Sequence, residues 1–247
     1  MMVARQLALP FTRAQHFTDA DFLRAPSNHQ ALAWIDRDAA WPLGRLALWG
    51  AAGSGKTHLL HVWAHRAAAE VLTLRDVPSA PPRRPLAIDD VDLAPELALL
   101  HVLNSAAEAG LPVLLAARRP PARWEIKLPD LASRLRATTA VEIRPPEDVL
   151  LRALLARQLA ERQLRVDDAV QDWLILRLPR TPAAIREAAA RLDHASLATS
   201  GRFTQRQAAQ VLAGLTEASE NDDLPSHCHQ TVMQIGERTA AFGQEVL

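Results

Sequence analysis

Short apolar runs alternate with longer stretches of helical periodicity up to about residue 145, and beyond it the helical pattern continues alone. Arg45–Trp49 (RLALW) is an apolar run ending at a glycine, the pattern of a strand buried on both faces. His58–Glu70 follows as a helix, Val71–Leu74 as a second strand and Pro78–Pro85 as a proline-rich surface loop. Leu86–Ile88 reads as a third strand, Glu96–Ala109 as a helix, and Leu111–Ala116 as a fourth strand closed by the loop Arg118–Pro121. Leu128–Leu135 is then a short helix and Ala140–Ile143 a fifth strand; upstream, His16–Arg37 combines a loop with a helix over Asn28–Asp36. Strands alternating with helices imply right-handed crossovers and a parallel sheet covered on both faces, an α/β architecture.

After Pro145–Pro146 the spacing predicts helices over Glu147–Gln163, Asp167–Arg177, Pro182–Ala198 and Thr204–Leu215. Thr181 stands as N-cap before Pro182 at the first helical position, and Thr204 with Gln207 has the spacing of a capping box. The chain thus divides into an extended peptide 1–12, an α/β domain 13–145, a small all-helical domain 146–216, and a polar, aperiodic tail 217–247 expected to be loosely attached.

Between the first strand and its helix lies GAAGSGKT, Gly50–Thr57, which satisfies G-x-x-x-x-G-K-[ST] in the strand–helix context that makes the motif informative. Gly50, Gly53 and Gly55 let the backbone turn its N–H groups toward phosphate oxygens at the positive end of a helix, with Ala51, Ala52, Ser54 and His58 completing the loop. Lys56 is placed to reach the outer phosphates and Thr57 to ligate Mg2+. LAIDD (Leu86–Asp90) supplies the matching acids: Asp89 for the metal, Asp90 to orient or deprotonate an attacking water. A P-loop site for ATP or ADP with Mg2+ follows.

Charge narrows the picture. Basic and acidic residues number 28 each, which disfavours a self-sufficient DNA binder, since neutralising phosphates supplies most non-specific affinity. Only Lys56 and Lys127 among the basic residues are lysines, so lysine stands mainly where arginine will not serve, as in the P-loop. One cysteine, Cys228, fits a reducing cytoplasm, and there is no apolar run of membrane-spanning length nor the apolar core of a signal peptide. His227 and His229 flank Cys228 in the polar tail and read as solvated side chains.

P-loop, paired acids and a helical lid together resemble the AAA+ family, and Lys56-Thr57-His58, Asp89-Asp90 and LPDLASRLRA (Leu128–Ala137) resemble its DnaA/Hda branch over roughly residues 12–215. The resemblance implies an AAA+ parallel-sheet domain with a helical lid, an arginine finger acting on a neighbouring subunit's nucleotide at Arg134 (Arg136 being the nearby alternative), and a lid arginine sensing the γ-phosphate at Arg186. The family usually places a polar sensor at the end of the fourth strand, where this chain has Ala116, Ala117 and Arg118; fast self-hydrolysis is therefore not expected. Gln6–Phe11 (QLALPF) looks like the peptide that docks on the DNA polymerase sliding clamp: Gln6 as amide, Leu7 and Leu9 as anchors, Pro10 stiffening the chain, Phe11 filling a pocket. Only about thirty polar residues follow Leu215, with no basic recognition helix among them. The implied partners are DnaA and the clamp, with DNA reached only through the clamp, no membrane, and a homodimer left open. The implied activity is regulatory: inhibition of replication initiation by promoting ATP hydrolysis on DnaA. The other reading is an AAA+ enzyme acting on DNA directly as a loader or remodeller.

Overall fold

The computed structural model describes residues 22–72, 81–196 and 202–221, the side chains of 202 and 216–221 excepted. The peptide Gln6, Leu7, Leu9, Pro10, Phe11 and residues 222–247 lie outside the described residues.

Five strands, β1 (Arg45–Trp49), β2 (Glu70–Leu72), β3 (Leu86–Ile88), β4 (Val113–Ala117) and β5 (Thr139–Glu142), form a parallel sheet in the order β2-β3-β4-β1-β5. The first and central strands are continuous apolar runs because both faces are covered. Leu46 and Leu48 point to the side of α1 (His29–Ile35) and α2 (Lys56–Arg66); Ala47, one residue out of phase, packs with α3 (Glu96–Glu108) and α4 (Pro129–Arg136). Trp63 is fully buried in α2, leans on Trp41 with ring centroids 5.0 Å apart, and donates its indole N–H to Asp38 at 3.1 Å.

The helical part comprises α5 (Asp148–Glu161), α6 (Asp168–Arg177), α7 (Pro182–Ser196) and α8 (Gln205–Asn221) around its own apolar cluster, which includes Leu155, Leu174, Ile185, Leu192 and Leu212. Both expected caps form. The Thr181 hydroxyl accepts from the Ala184 N–H at 3.1 Å, and Thr204 and Gln207 exchange hydrogen bonds through side chain and backbone at 2.9 and 3.3 Å.

Three differences from the sequence reading have local causes. The helix expected to run through Glu70 stops at Arg66, because Ala68 takes a left-handed φ of 49° and the Glu70 N–H turns to the Pro85 carbonyl, opening β2 instead. The last helix passes Leu215 and enters the stretch expected to be tail, ending at Asn221. A two-stranded parallel ladder, β6 (Arg165–Val166) with β7 (Arg202–Phe203), links the α5–α6 connection to the α7–α8 connection; two residues each are too few to carry a period.

Glu96 opens α3 and its carboxylate accepts the backbone N–H groups of Lys127 (2.9 and 3.0 Å) and Leu128 (2.8 Å). These bonds fasten the approach to α4, and they hold the Glu96 carboxyl below the usual glutamate range. Among the described residues no helix is long and apolar enough to cross a membrane.

Candidate phosphate-binding site

The P-loop leaves the carboxyl end of β1, and its first residue must be glycine for lack of room: a Cβ at Gly50 would collide with the Ile143 carbonyl oxygen of the neighbouring strand connection. Gly55 is the residue before α2, with φ 103°, and no side chain caps the helix. Its first-turn N–H groups are therefore left for an anion at the positive end of the helix dipole. Ser54 adds a hydroxyl sealed from solvent and without a hydrogen-bond partner among the described residues. An oxygen-rich anion would satisfy both, so the loop fits a phosphate.

Lys56 is 7% exposed. Its ammonium donates to the carbonyls of Gly50 at 2.9 Å and Ala51 at 2.8 Å, holding the loop's own backbone. Burial pushes its pKa down, and the charges of Asp89 and Asp90 oppose that shift. The Thr57 hydroxyl donates to Asp89 Oδ2 at 2.7 Å, and Asp89 Oδ1 accepts the Asp90 N–H at 2.9 Å. A hydroxyl and a carboxylate oxygen in contact are a fitting pair of hard ligands for Mg2+, whose remaining positions phosphate and water would fill. Asp90 is exposed beside them, with a left-handed φ of 46°.

Two residues outside the expected set complete this edge. Trp49 pairs with Ala117, so Arg118 continues level with Gly50, between the P-loop and the acidic end of β3. Its backbone N–H donates to Asp92 at 3.2 Å, while its guanidinium has no hydrogen-bond or ion-pair partner among the described residues. Arg118 adds to the positive field on Lys56 and Asp92 opposes it. The sequence reading singled out Arg118 only as a departure from a polar residue, and passed over Asp92, the next carboxylate after the acidic pair.

A cavity of about 270 Å3 extends from the loop toward the helical part. Gly53, Ser54, Gly55, Lys56, Thr57 and His58 line one side; Leu150, Leu154, Pro182 and Arg186 line the other. Phe22, Leu23 and Asn28 close it from the segment before α1. Asn28 shapes that segment, accepting the Ala25 N–H at 2.9 Å and donating to the Leu23 carbonyl at 2.8 Å, and Phe22 meets His58 edge to face. Arg186 is half-buried with no hydrogen-bond or ion-pair partner among the described residues, and burial lowers its pKa. Its helix begins at the same wall, where Thr181 packs on Gly53 so closely that a Cβ there would lie 3.0 Å away. The cavity is thus cationic at the loop and largely apolar at Phe22, Leu23, Leu150 and Leu154, which suits a molecule with an anionic end and a flat apolar end.

Ala51 and Ala52 form the exposed tip of the loop. Arg134 and Arg136 are on α4 and do not line the cavity. Arg134 Nε lies 3.2 and 3.3 Å from the two carboxylate oxygens of Asp130, and Arg136 Nε donates to the Ala132 carbonyl at 3.2 Å.

Domain III of the Thermotoga maritima replication initiation protein DnaA superposes with a TM-score of 0.71 over 81% of this chain and 97% of that one, at 17% identity. The fold is the AAA+ fold. AMPPCP-bound DnaA from Aquifex aeolicus superposes at a TM-score of 0.64 and 18% identity, covering 83% of this chain and 70% of that one. A Thermotoga maritima RuvB variant shares the AAA+ fold at a TM-score of 0.58 and 19% identity, over 76% and 68% of the two chains. A Haemophilus influenzae protein described only as uncharacterized is 28% identical over 176 residues, 64% of this chain and 76% of that protein. No protein-family model matches the chain.

Proposed function

We propose that this chain is a cytoplasmic regulator of replication initiation of the Hda kind. It holds ADP or ATP with Mg2+ in the cavity, docks on the sliding clamp through Gln6–Phe11, and stimulates ATP hydrolysis by DnaA in trans. The observation that carries the reading is a separation of two arginines. Arg186 lines the chain's own cavity, whereas Arg134 stands on α4 outside it, available to a neighbour. DnaA of this fold holds AMPPCP, and the P-loop here offers the same class of ligand an uncapped helix start and a buried lysine.

Lys56 would exchange the Gly50 and Ala51 carbonyls for the outer phosphates, and Arg186 would cover them from the lid. Bound Mg2+ supplies charge neutralisation across those phosphates, held by Thr57 and Asp89. Asp90 would orient a water, but β4 ends in Ala116 and Ala117 and is followed by Arg118, so the strand itself supplies no hydroxyl, amide or carboxylate to fix it. Weak self-hydrolysis and action on a partner follow.

The deciding experiment mixes the chain with DNA-loaded clamp and ATP-bound DnaA and measures ADP formation. Stimulation that disappears when Gln6, Leu9 and Phe11 are all alanine supports the reading. DNA-stimulated turnover by the isolated chain, with no effect on DnaA, would replace it with a loader or remodeller acting on DNA directly.

A further inference from the structure

A second group of basic side chains lies at the opposite, amino edge of the sheet. Arg45, the first residue of β1, is 6% exposed. Its Nε is sealed from solvent without a hydrogen-bond partner, and its guanidinium forms no ion pair among the described residues. Arginine does not shed its proton in a protein, so the charge stays, in a setting that ordinarily demands a partner.

Its neighbour across the sheet is part of the α4 end. Leu46 pairs with Thr139, which sets Arg45 level with Thr138. Thr138 is also buried, and its hydroxyl donates to the Arg134 carbonyl at 2.9 Å. The last turn of α4 is thus pinned beside the start of β1, close enough for the charge of Arg134 to bear on Arg45. Among the described residues the one acid paired with either arginine is Asp130, which is 57% exposed at its side chain and holds Arg134 alone. Such a solvated pair is weak and exchangeable.

We infer that Arg45 and Arg134 together form a receptor for the terminal phosphate of a nucleotide carried by a partner molecule, with Asp130 occupying Arg134 until that phosphate arrives. This rests on the reading of Arg134 as acting on a neighbour, and adds to it a second, buried guanidinium. Two planar forks suit a tetrahedral group with three terminal oxygens better than a single carboxylate, and the phosphate supplies the counter-charge that Arg45 lacks.

The test uses the full chain kept saturated with ADP, so that the P-loop is filled, and titrates sodium tripolyphosphate by calorimetry. Wild type is expected to bind. Arg45→Met and Arg134→Ala should each weaken binding at least tenfold, with the double variant little worse than either, as for two halves of one site. Arg45→Lys keeps the charge but loses the fork, and should fall between wild type and Arg45→Met. Arg45→Met should also melt no lower than wild type, since it replaces an unpaired buried charge by an apolar chain of similar length; an arginine kept for structure would do the reverse. Absence of binding by wild type, or equal binding by Arg45→Met or Arg45→Lys, overturns the inference, as does tighter binding of tricarballylate than of tripolyphosphate. If the receptor binds as described but DnaA hydrolysis is not stimulated, the proposed function fails and the receptor stands.

Discussion

The Thr57 hydroxyl and the Asp89 carboxylate, 32 residues apart in sequence, meet across 2.7 Å at the carboxyl end of the sheet. Removing either should uncouple metal from nucleotide. Thr57→Ala and Asp89→Asn are expected to lose the Mg2+-dependent part of ADP affinity while retaining the Mg2+-independent part, measured by titration with and without excess chelator. Lys56→Ala should lose both, because a charged hydrogen bond to phosphate is worth more than a neutral one. Unchanged affinity in Lys56→Ala would place the nucleotide elsewhere.

Gly53 combines a φ of 73° with a Thr181 neighbour whose Cβ would lie 3.0 Å from an added methyl group, a tight contact. Gly53→Ala should cost about 1–3 kcal/mol of stability from backbone strain alone, and should also weaken nucleotide binding, because the strain is relieved by moving the loop or the lid. Thr181→Ser keeps the capping hydroxyl and the Cβ at 3.0 Å and removes only the methyl at 3.4 Å, so it should recover little of either loss. A melt and a nucleotide titration on the single and double variants decide it.

Glu96 yields a pH dependence with a definite sign. Its folded pKa is depressed by the N–H groups of Lys127 and Leu128. The stability it contributes is therefore present above the ordinary glutamate range and disappears as pH falls through the lower folded value. Glu96→Gln should melt below wild type at pH 7, and the gap should close as both are acidified below that folded pKa. A gap of constant size would show that the charge is immaterial.

A guanidinium that reaches a γ-phosphate stabilises charge developing only in the transition state. Arg134→Ala is accordingly expected to keep its fold and its own ADP, yet to lose most of its stimulation of DnaA; fingers of this type are worth roughly 10³–10⁵ in rate. Arg136→Ala, whose guanidinium bonds to a helix carbonyl, should be milder. Normal stimulation by Arg134→Ala would end the finger mechanism.

How much was legible beforehand depended on whether the chemistry is local. GAAGSGKT and LAIDD are contiguous because a phosphate cradle and a strand-end acid need neighbouring residues, and the strands RLALW and LAI carry their burial in their composition. Phe22, Arg118 and Arg45 matter through contacts made across strands or between layers, and nothing in their flanking residues signals those contacts. The alanine run before Glu70 favours helix by propensity, and only the turn at Ala68 and the pull of β3 redirect it.

The β6–β7 ladder fixes how the helical part can respond. By bonding the α5–α6 connection to the α7–α8 connection it closes the four helices into a loop fastened at two places, its root at Pro145–Pro146 and this clasp. A pull on α7 through Arg186 or Thr181 is then shared by the other three helices rather than absorbed by one. A displacement of α7 at the cavity is then carried by the helical part as one unit.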